Sequence, residues 1–323
     1  ARLGSISVMP KCVITETLDP NCADWLAERC EIVWHAQDAP DLDAQLADAD
    51  ALVVRTYTQV DQALLDRAPN VKVIGRAGVG LDNFDLPACE KRGVRVVYTP
   101  DANTQAVVEY VFGLILDHYR PRTTLAHGTT AQDFHQLRKT EVGVELADLT
   151  LGILGMGRIG KRIATAAHAM GINVLGCDLL DEPTLRKAIP NVPFDCVDHE
   201  TLYENSDILT VHTDGRPTNR HLIDADALSR LRDDALFINA ARGMLVDHAA
   251  LAEWLKTNPN AAAILDVHDP EPPAEDHPLY ALGNARLLPH LASRTDTALK
   301  NMSWVVRDVA AVLEGREPTY PAV

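Results

Sequence analysis

The 323-residue chain has no apolar run long enough to span a bilayer as a helix, and no C-x-x-C pair among its six cysteines. The first absence argues against a transmembrane helix. The second leaves neither a disulfide framework nor a zinc site to be read from spacing, and no H-E-x-x-H motif offers another metal. No internal repeat and no low-complexity tract is present. Positive charge is scarce: 30 Lys and Arg against 46 Asp and Glu give a formal net charge of −16. Such a chain is poorly suited to holding nucleic acid through its phosphates. An anionic ligand would need a local cluster of arginines and backbone N–H groups, set against an unfavourable overall field. No secretory leader pattern is seen in "ARLGSISVMPKC", so the expectation is a cytoplasmic protein without membrane attachment.

What is present is a globular composition, with 46% apolar and 24% charged residues, in a chain long enough for two cores. Short β-rich runs alternate with amphipathic stretches. Strands are expected at 12–16, 31–35, 51–56, 71–78 and 95–100, then at 150–155, 172–178, 194–198, 207–213, 235–241, 261–267 and 285–290. Strands separated by helical crossovers imply parallel sheets. A helix with a broad apolar face is expected in "TQAVVEYVFGLILDHYR", an irregular polar region over 121–149, and one last helix over 295–315, closed by Gly315.

The most specific segment is "TLGILGMGRIGKRIATAAHAMGINVLGCD", residues 150–178. A strand runs into Gly155-Met156-Gly157-Arg158-Ile159-Gly160, a helix-forming run follows, and the next strand ends in Asp178, 18 residues after Gly160. In a dinucleotide site, Gly155 makes the tight turn, Gly157 lets the backbone approach a pyrophosphate, and Gly160 lets helix and strand pack closely. The N–H groups at the helix start face the phosphates, while Asp178 accepts from the adenosine ribose hydroxyls. Its charge disfavours a 2′-phosphate, so the expected cofactor is NAD rather than NADP. The fingerprint lies in mid-chain, which suggests a dinucleotide domain inserted into another domain.

Three later strand ends finish in polar residues. "FINAARG" reaches Arg242, "AILDVHDPEP" reaches Glu271, and "ARLLPH" ends in His290. In a parallel sheet these ends share one edge, where ligands bind. Arg242 offers a planar fork to a carboxylate. His290 can take and return a hydroxyl proton, and Glu271 can orient its ring. Taken singly, Glu271 is one carboxylate in an acidic loop and His290 one of twelve histidines. With the fingerprint, the set suits hydride transfer between NAD and a small anionic 2-hydroxy or 2-keto acid.

The segments "IGRAGVGLDNFDL" (74–86), "TPDANTQAVVEYVFGLIL" (99–116), "LGILGMGRIGKRIA" (151–164), "INAARGMLVD" (238–247), "LDVHDPEPP" (265–273) and "LLPHLASRT" (287–295), with "VVRTYTQVD" (53–61), span most of the chain. By these motifs and their order the chain resembles the D-isomer-specific 2-hydroxyacid dehydrogenases, and within them the branch that acts on D-3-phosphoglycerate in serine biosynthesis. The resemblance implies two Rossmann-like or flavodoxin-like parallel-sheet domains. Residues 1–103 and 295–323 would form the substrate domain, and 104–294 the inserted NAD domain. It also implies a homodimer, with Arg242, Glu271 and His290 as the catalytic set. It adds Arg158, Ile159, Thr213, Ala240, Ala241, Asp266 and the turn at His290 to Ala292 as cofactor contacts. Ala77, Gly78 and Val79 would bind the substrate carboxylate through backbone N–H groups, and Arg55 and Arg76 would serve a substrate phosphate.

The chain departs from the family where Asp214-Gly215 replaces the usual Pro-Leu, where Tyr98 replaces an asparagine, and near His135, where a tryptophan is usual. It ends soon after the last helix, which implies no serine feedback through a C-terminal regulatory domain. Within the family the alternative is a reductase of hydroxypyruvate, glyoxylate or another 2-keto acid. Outside it, the alternative is an NADH-sensing, corepressor-like binding protein.

Overall fold

Five of the expected strands form one parallel sheet: β1 (Lys11–Ile14), β2 (Glu31–Trp34), β3 (Ala51–Val54), β4 (Val73–Arg76) and β5 (Arg95–Tyr98), in the order β2-β1-β3-β4-β5. The computed structural model describes residues 9–323, so most of the segment read for a leader lies outside the described residues. All four β3 residues are buried. That explains why the strand reads as a continuous apolar run rather than an alternation: both faces of the sheet are covered. Leu42, Leu46, Leu64 and Leu65 cover one face, and Leu26, Val305, Val306 and Val309 the other.

The second set comprises β6 (Thr150–Leu154), β7 (Asn173–Cys177), β8 (Asp195–Cys196), β9 (Ile208–Val211), β10 (Leu236–Asn239), β11 (Ala262–Leu265) and β12 (Ala285–Leu287). They form a seven-stranded parallel sheet in the order β12-β11-β10-β9-β6-β7-β8. The order reverses between β6 and β9, which is where a doubly wound sheet opens a crevice at its strand C-terminal ends. The helix Thr104–Tyr119 buries Val107, Val111 and Ile115 in the same core as Leu151 and Ile153. The opposite face is closed by Leu202, Leu251 and Trp254. The chain divides into two compact units, Thr104–Ala292 and the residues up to Asn103 together with Ser293–Val323.

Two expectations fail locally. The region 121–149 contains a helix, Ala131–Thr140, with a capping box in which Thr130 and Asp133 serve each other's N–H groups. It buries none of its residues, so it has no apolar stripe to announce it. The last helix is two: Asp296–Ser303 and Val306–Leu313. Around Trp304 the bonding shortens by one residue, with Val305 N–H donating to Met302 O (3.3 Å) and Arg307 N–H to Trp304 O (3.0 Å). The apolar stripe runs on across this tightened turn, and so conceals it. Among the described residues, no helix is long and apolar enough to cross a membrane.

Candidate active site

The nucleotide fingerprint folds as its glycines require. Gly155 leaves β6 at φ +97°, a left-handed conformation suited to glycine, and a Cβ there would stand 2.7 Å from the His212 carbonyl carbon. Gly157 precedes the helix Arg158–Ala169 and offers no side-chain cap; a Cβ at that position would meet nothing within 4 Å. Gly160 passes so close to the Gly155 carbonyl that a Cβ would fall 2.0 Å from its oxygen. The first turn of the helix therefore offers N–H groups beside an unobstructed backbone, as a pyrophosphate needs. Arg158 is exposed at that helix start, and Ile159 packs partly on the core.

Asp178 follows β7. It accepts hydrogen bonds from Met156 N–H (2.6 Å) and Leu180 N–H (2.9 Å), which ties the acidic residue to the glycine turn. A carboxylate has about four lone-pair sites, so it retains capacity for ribose hydroxyls. Thr213, just beyond β9, has a buried Oγ1 with no hydrogen-bond partner, as expected of a group that awaits a ligand. These features fit a dinucleotide. The sequence reading missed Arg216. Asp214 holds it through Nε (2.7 Å) and Nη2 (2.5 Å), and its pKa is raised first by Asp214 and also by Asp178. The Asp214 carboxylate is in turn held below its ordinary pKa, chiefly by Arg216 and to a lesser degree by Arg242. Asp214 and Arg216 thus set a paired carboxylate and guanidinium beyond the C-terminal end of β9.

Arg242, Glu271 and His290 follow β10, β11 and β12, three adjacent parallel strands, so all three leave the same edge of one sheet. The Arg242 turn is bracketed by Asn239, which is fully buried: its Oδ1 accepts from Ala241 N–H (3.0 Å) and its Nδ2 donates to Arg242 O (2.9 Å). Ala240 and Ala241 are both buried. The Arg242 guanidinium donates through Nη1 to Ala241 O (2.7 Å). Gly243 follows because the next loop presses on it; a Cβ there would lie 2.0 Å from the His268 carbonyl. That approach joins the Arg242 turn to the loop that carries Glu271.

Glu271 Oε2 lies 2.9 Å from His290 Nδ1, and its Oε1 accepts from His268 N–H (2.9 Å). Burial pushes the Glu271 carboxyl up. The bonds from His290 and His268 outweigh this, and its pKa ends below the ordinary value. An ionised Glu271 requires Nδ1 to be the donor, which leaves Nε2 of His290 as the outward acceptor of a proton. Both side chains are about one-third exposed or slightly more, so a substrate could reach them.

Asp266, expected among the coenzyme contacts, bonds to the His290 turn and to the helix Thr104–Tyr119. It is 1% exposed, and its carboxylate is engaged by Leu291 N–H (2.8 Å), Ala292 N–H (2.8 Å) and the Tyr110 hydroxyl (3.1 Å). A carboxylate this deep must satisfy its lone pairs within the protein. The nearest available donors belong to the His290 turn.

The residues expected to meet the substrate, apart from Arg242, belong to the other unit. Ala77 N–H donates to Val54 O (2.9 Å) and Gly78 N–H to Arg76 O (2.8 Å), so these two N–H groups are committed within the chain. Both bonds arise because the loop, where the carboxylate cradle is expected, turns tightly on leaving β4. Arg76 folds over the same loop, donating to Gly80 O (3.0 Å) and Ala77 O (2.9 Å). Beyond β3, the N–H groups of Arg55, Thr56, Tyr57 and Thr58 all donate to the Glu16 carboxylate, at 2.9–3.1 Å. The Arg55 Nε is buried with no partner, and its pKa is lowered by burial and then by Arg294. Arg294 is a second cation that the sequence reading did not select.

Behind Glu271 lies a histidine cluster. His277 Nε2 is 3.0 Å from His248 Nδ1, and His268 Nε2 is 2.8 Å from Leu288 O. Burial, then His277 and His268, push His248 down to about 4, and burial also lowers His277. The unfolded chain protonates His248 near its ordinary 6.5, whereas the folded chain resists until about 4, so protons favour unfolding across that window. Stability is therefore full above about pH 6.5 and falls by about 1 kcal/mol by pH 5, allowing for partial exposure. Urea midpoints at pH 7 and pH 5 measure this difference, and His248→Asn should shrink it.

Comparison with known proteins came to the same region. The family model for the NAD binding domain of D-isomer specific 2-hydroxyacid dehydrogenases matches residues 112–292. A D-3-phosphoglycerate dehydrogenase of Methanocaldococcus jannaschii is 36% identical over 95% of this chain, which spans only 58% of that relative's length. A glyoxylate reductase of Thermofilum pendens is 35% identical over 96% of this chain and 93% of its own. Among solved structures, the TT0316 protein of Thermus thermophilus superposes with a TM-score of 0.84 at 33% identity, covering 97% of this chain and all of that one.

Proposed function

The chain belongs to the D-isomer specific 2-hydroxyacid dehydrogenase family, and on that premise we propose that it is an NAD-dependent oxidoreductase of a D-2-hydroxy acid, with D-3-phosphoglycerate as its substrate. The observation that carries the reading is the 2.9 Å pairing of His290 Nδ1 with Glu271 Oε2, on the strand edge that also presents Arg242. Arg242 grips the substrate carboxylate and aligns C2. His290 Nε2 takes the C2 hydroxyl proton as the alcohol is oxidised and returns it in reduction. Glu271 holds the ring in the tautomer this requires and stabilises the imidazolium. The Gly155–Gly160 turn, Asp178 and Thr213 would hold NAD, which would supply the hydride acceptor.

A reductase of glyoxylate or hydroxypyruvate is the second reading. It is favoured by the bonds that the Arg76 guanidinium makes to Gly80 O and Ala77 O of its own loop, which leave fewer of its N–H groups for a phosphate. Assays of NAD with D-3-phosphoglycerate beside NADH with hydroxypyruvate and glyoxylate separate the two by their kcat/KM ratios. NADH binding without turnover on any of them would sink both readings and leave a sensor.

Asp178 sets the coenzyme preference. Asp178→Ser should raise kcat/KM with NADP relative to NAD by about tenfold or more, because it removes a charge that repels a 2′-phosphate and leaves Arg216 nearby. An unchanged ratio would remove Asp178 from the coenzyme site. We further propose a cytoplasmic homodimer. Leu125, Phe134, Val142 and Val144, in and beside the helix Ala131–Thr140 along the chain, are exposed, and they are the apolar surface that a second copy would cover. Light scattering should give twice the chain mass, and Phe134→Asp with Val142→Asp should return it to one.

A further inference from the structure

We propose that Tyr110 is a positioning residue for the proton carrier: its hydroxyl fixes the Asp266 carboxylate, and Asp266 fixes the backbone of His290. The inference rests on the reading of His290 given above.

Three consecutive N–H groups converge on Asp266. His290 N–H donates to its backbone oxygen (2.9 Å), Leu291 N–H to Oδ1 (2.8 Å) and Ala292 N–H to Oδ2 (2.8 Å). His290 itself sits at φ +54°, a left-handed conformation that a residue with a β-carbon adopts only when its surroundings enforce it. Here one buried side chain provides the enforcement, so whatever steadies that side chain steadies the catalytic ring. Asp266 is shut off from water, and the third donor to its carboxylate is the Tyr110 hydroxyl, 3.1 Å from Oδ1.

Tyr110 is well placed for this task. It lies on the helix Thr104–Tyr119, whose Val107, Val111 and Ile115 are locked into the core. Burial first, and then the charge of Asp266, push the phenol up to about 12, so it stays protonated and donating throughout the working pH range. The ring of His290 is thereby held at two points: its backbone by Asp266 and Tyr110, and its Nδ1 by Glu271. Without the hydroxyl, Oδ1 retains only the Leu291 N–H. The turn can then relax from its left-handed geometry, and the bond to Glu271 breaks for part of the time.

The test is Tyr110→Phe, which deletes one oxygen and preserves the packing. We expect kcat to fall about tenfold, while the Kd for NADH, read by its fluorescence, stays within about twofold. The side-chain NMR signal of His290, identified by its loss in His290→Gln, should broaden or double. In an Asp266→Asn background, Tyr110→Phe should have little further effect, because both substitutions act through one carboxylate. An unchanged kcat, a Kd that rises in step with the loss of kcat, or losses that add in the double variant would each overturn the proposal. If the wild type turns over no 2-hydroxy or 2-keto acid, the functional reading fails on its own. The His290 signal then decides: broadening in Tyr110→Phe supports the positioning role, and an unaltered signal ends it.

Discussion

His290→Gln is expected to lower kcat by about a thousandfold and to leave NADH binding nearly intact, the outcome required if His290 is the general acid–base we propose. That factor corresponds to about 4 kcal/mol of transition-state stabilisation. Glutamine can fill the space of the imidazole but cannot exchange a proton near neutral pH. Glu271→Gln should be almost as damaging, for a reason visible in its bonds. Both carboxylate oxygens accept, one from His290 Nδ1 and the other from His268 N–H. An amide must turn its NH2 towards one of those two donors, so the variant either loosens the 268–271 loop or releases the ring. Because Glu271 titrates below its ordinary value, the pair stays ionised on the carboxylate side above about pH 5, and the wild-type rate should show no carboxylate limb there. Steady-state rates of the two variants check the losses, and the wild-type pH–rate profile checks the absence of that limb. A His290→Gln enzyme that retains a tenth of wild-type kcat would refute the assignment.

Arg242→Lys should have the second large effect, a loss of about a thousandfold in kcat/KM on a 2-hydroxy acid if the guanidinium grips the carboxylate as proposed. A lysine keeps the charge but loses the planar fork. It also cannot make the Nη1 bond to Ala241 O while reaching a carboxylate with matched geometry. The same substitution should cost far less on an analogue in which the carboxylate is an amide, because that substrate never used the fork fully. Equal losses on acid and amide would mean that Arg242 serves the fold of its turn rather than the substrate.

The sheets were readable because parallel strands covered on both faces are unbroken apolar runs, and each of the twelve expected runs overlaps a strand. The ends were misread in a consistent direction. Asp178, Thr213, Ala240 and His290 all lie within the expected runs, yet the strands stop earlier, at Cys177, Val211, Asn239 and Leu287. The residues that leave the ladder are those proposed to meet ligands, since a group aimed at a ligand cannot also be held in the pleat. What stayed hidden depends on distant partners. Glu16 takes the N–H groups of a loop about 40 residues on, and Tyr110 meets Asp266 across 156 residues. No local spacing encodes either contact. The helix Ala131–Thr140 stayed hidden for the opposite reason: its Thr130 and Asp133 cap it locally, but it has no buried side to give the pattern an apolar period.

Glu16 has one more consequence. Loops that wrap their amides around a diffusible anion lose their order when that anion is diluted or competed away. In this chain the counter-ion is covalently attached, so its effective concentration at the Arg55–Thr58 amides is independent of the medium. The shape of that loop should therefore persist from dilute buffer to strong salt, ready before any solute arrives.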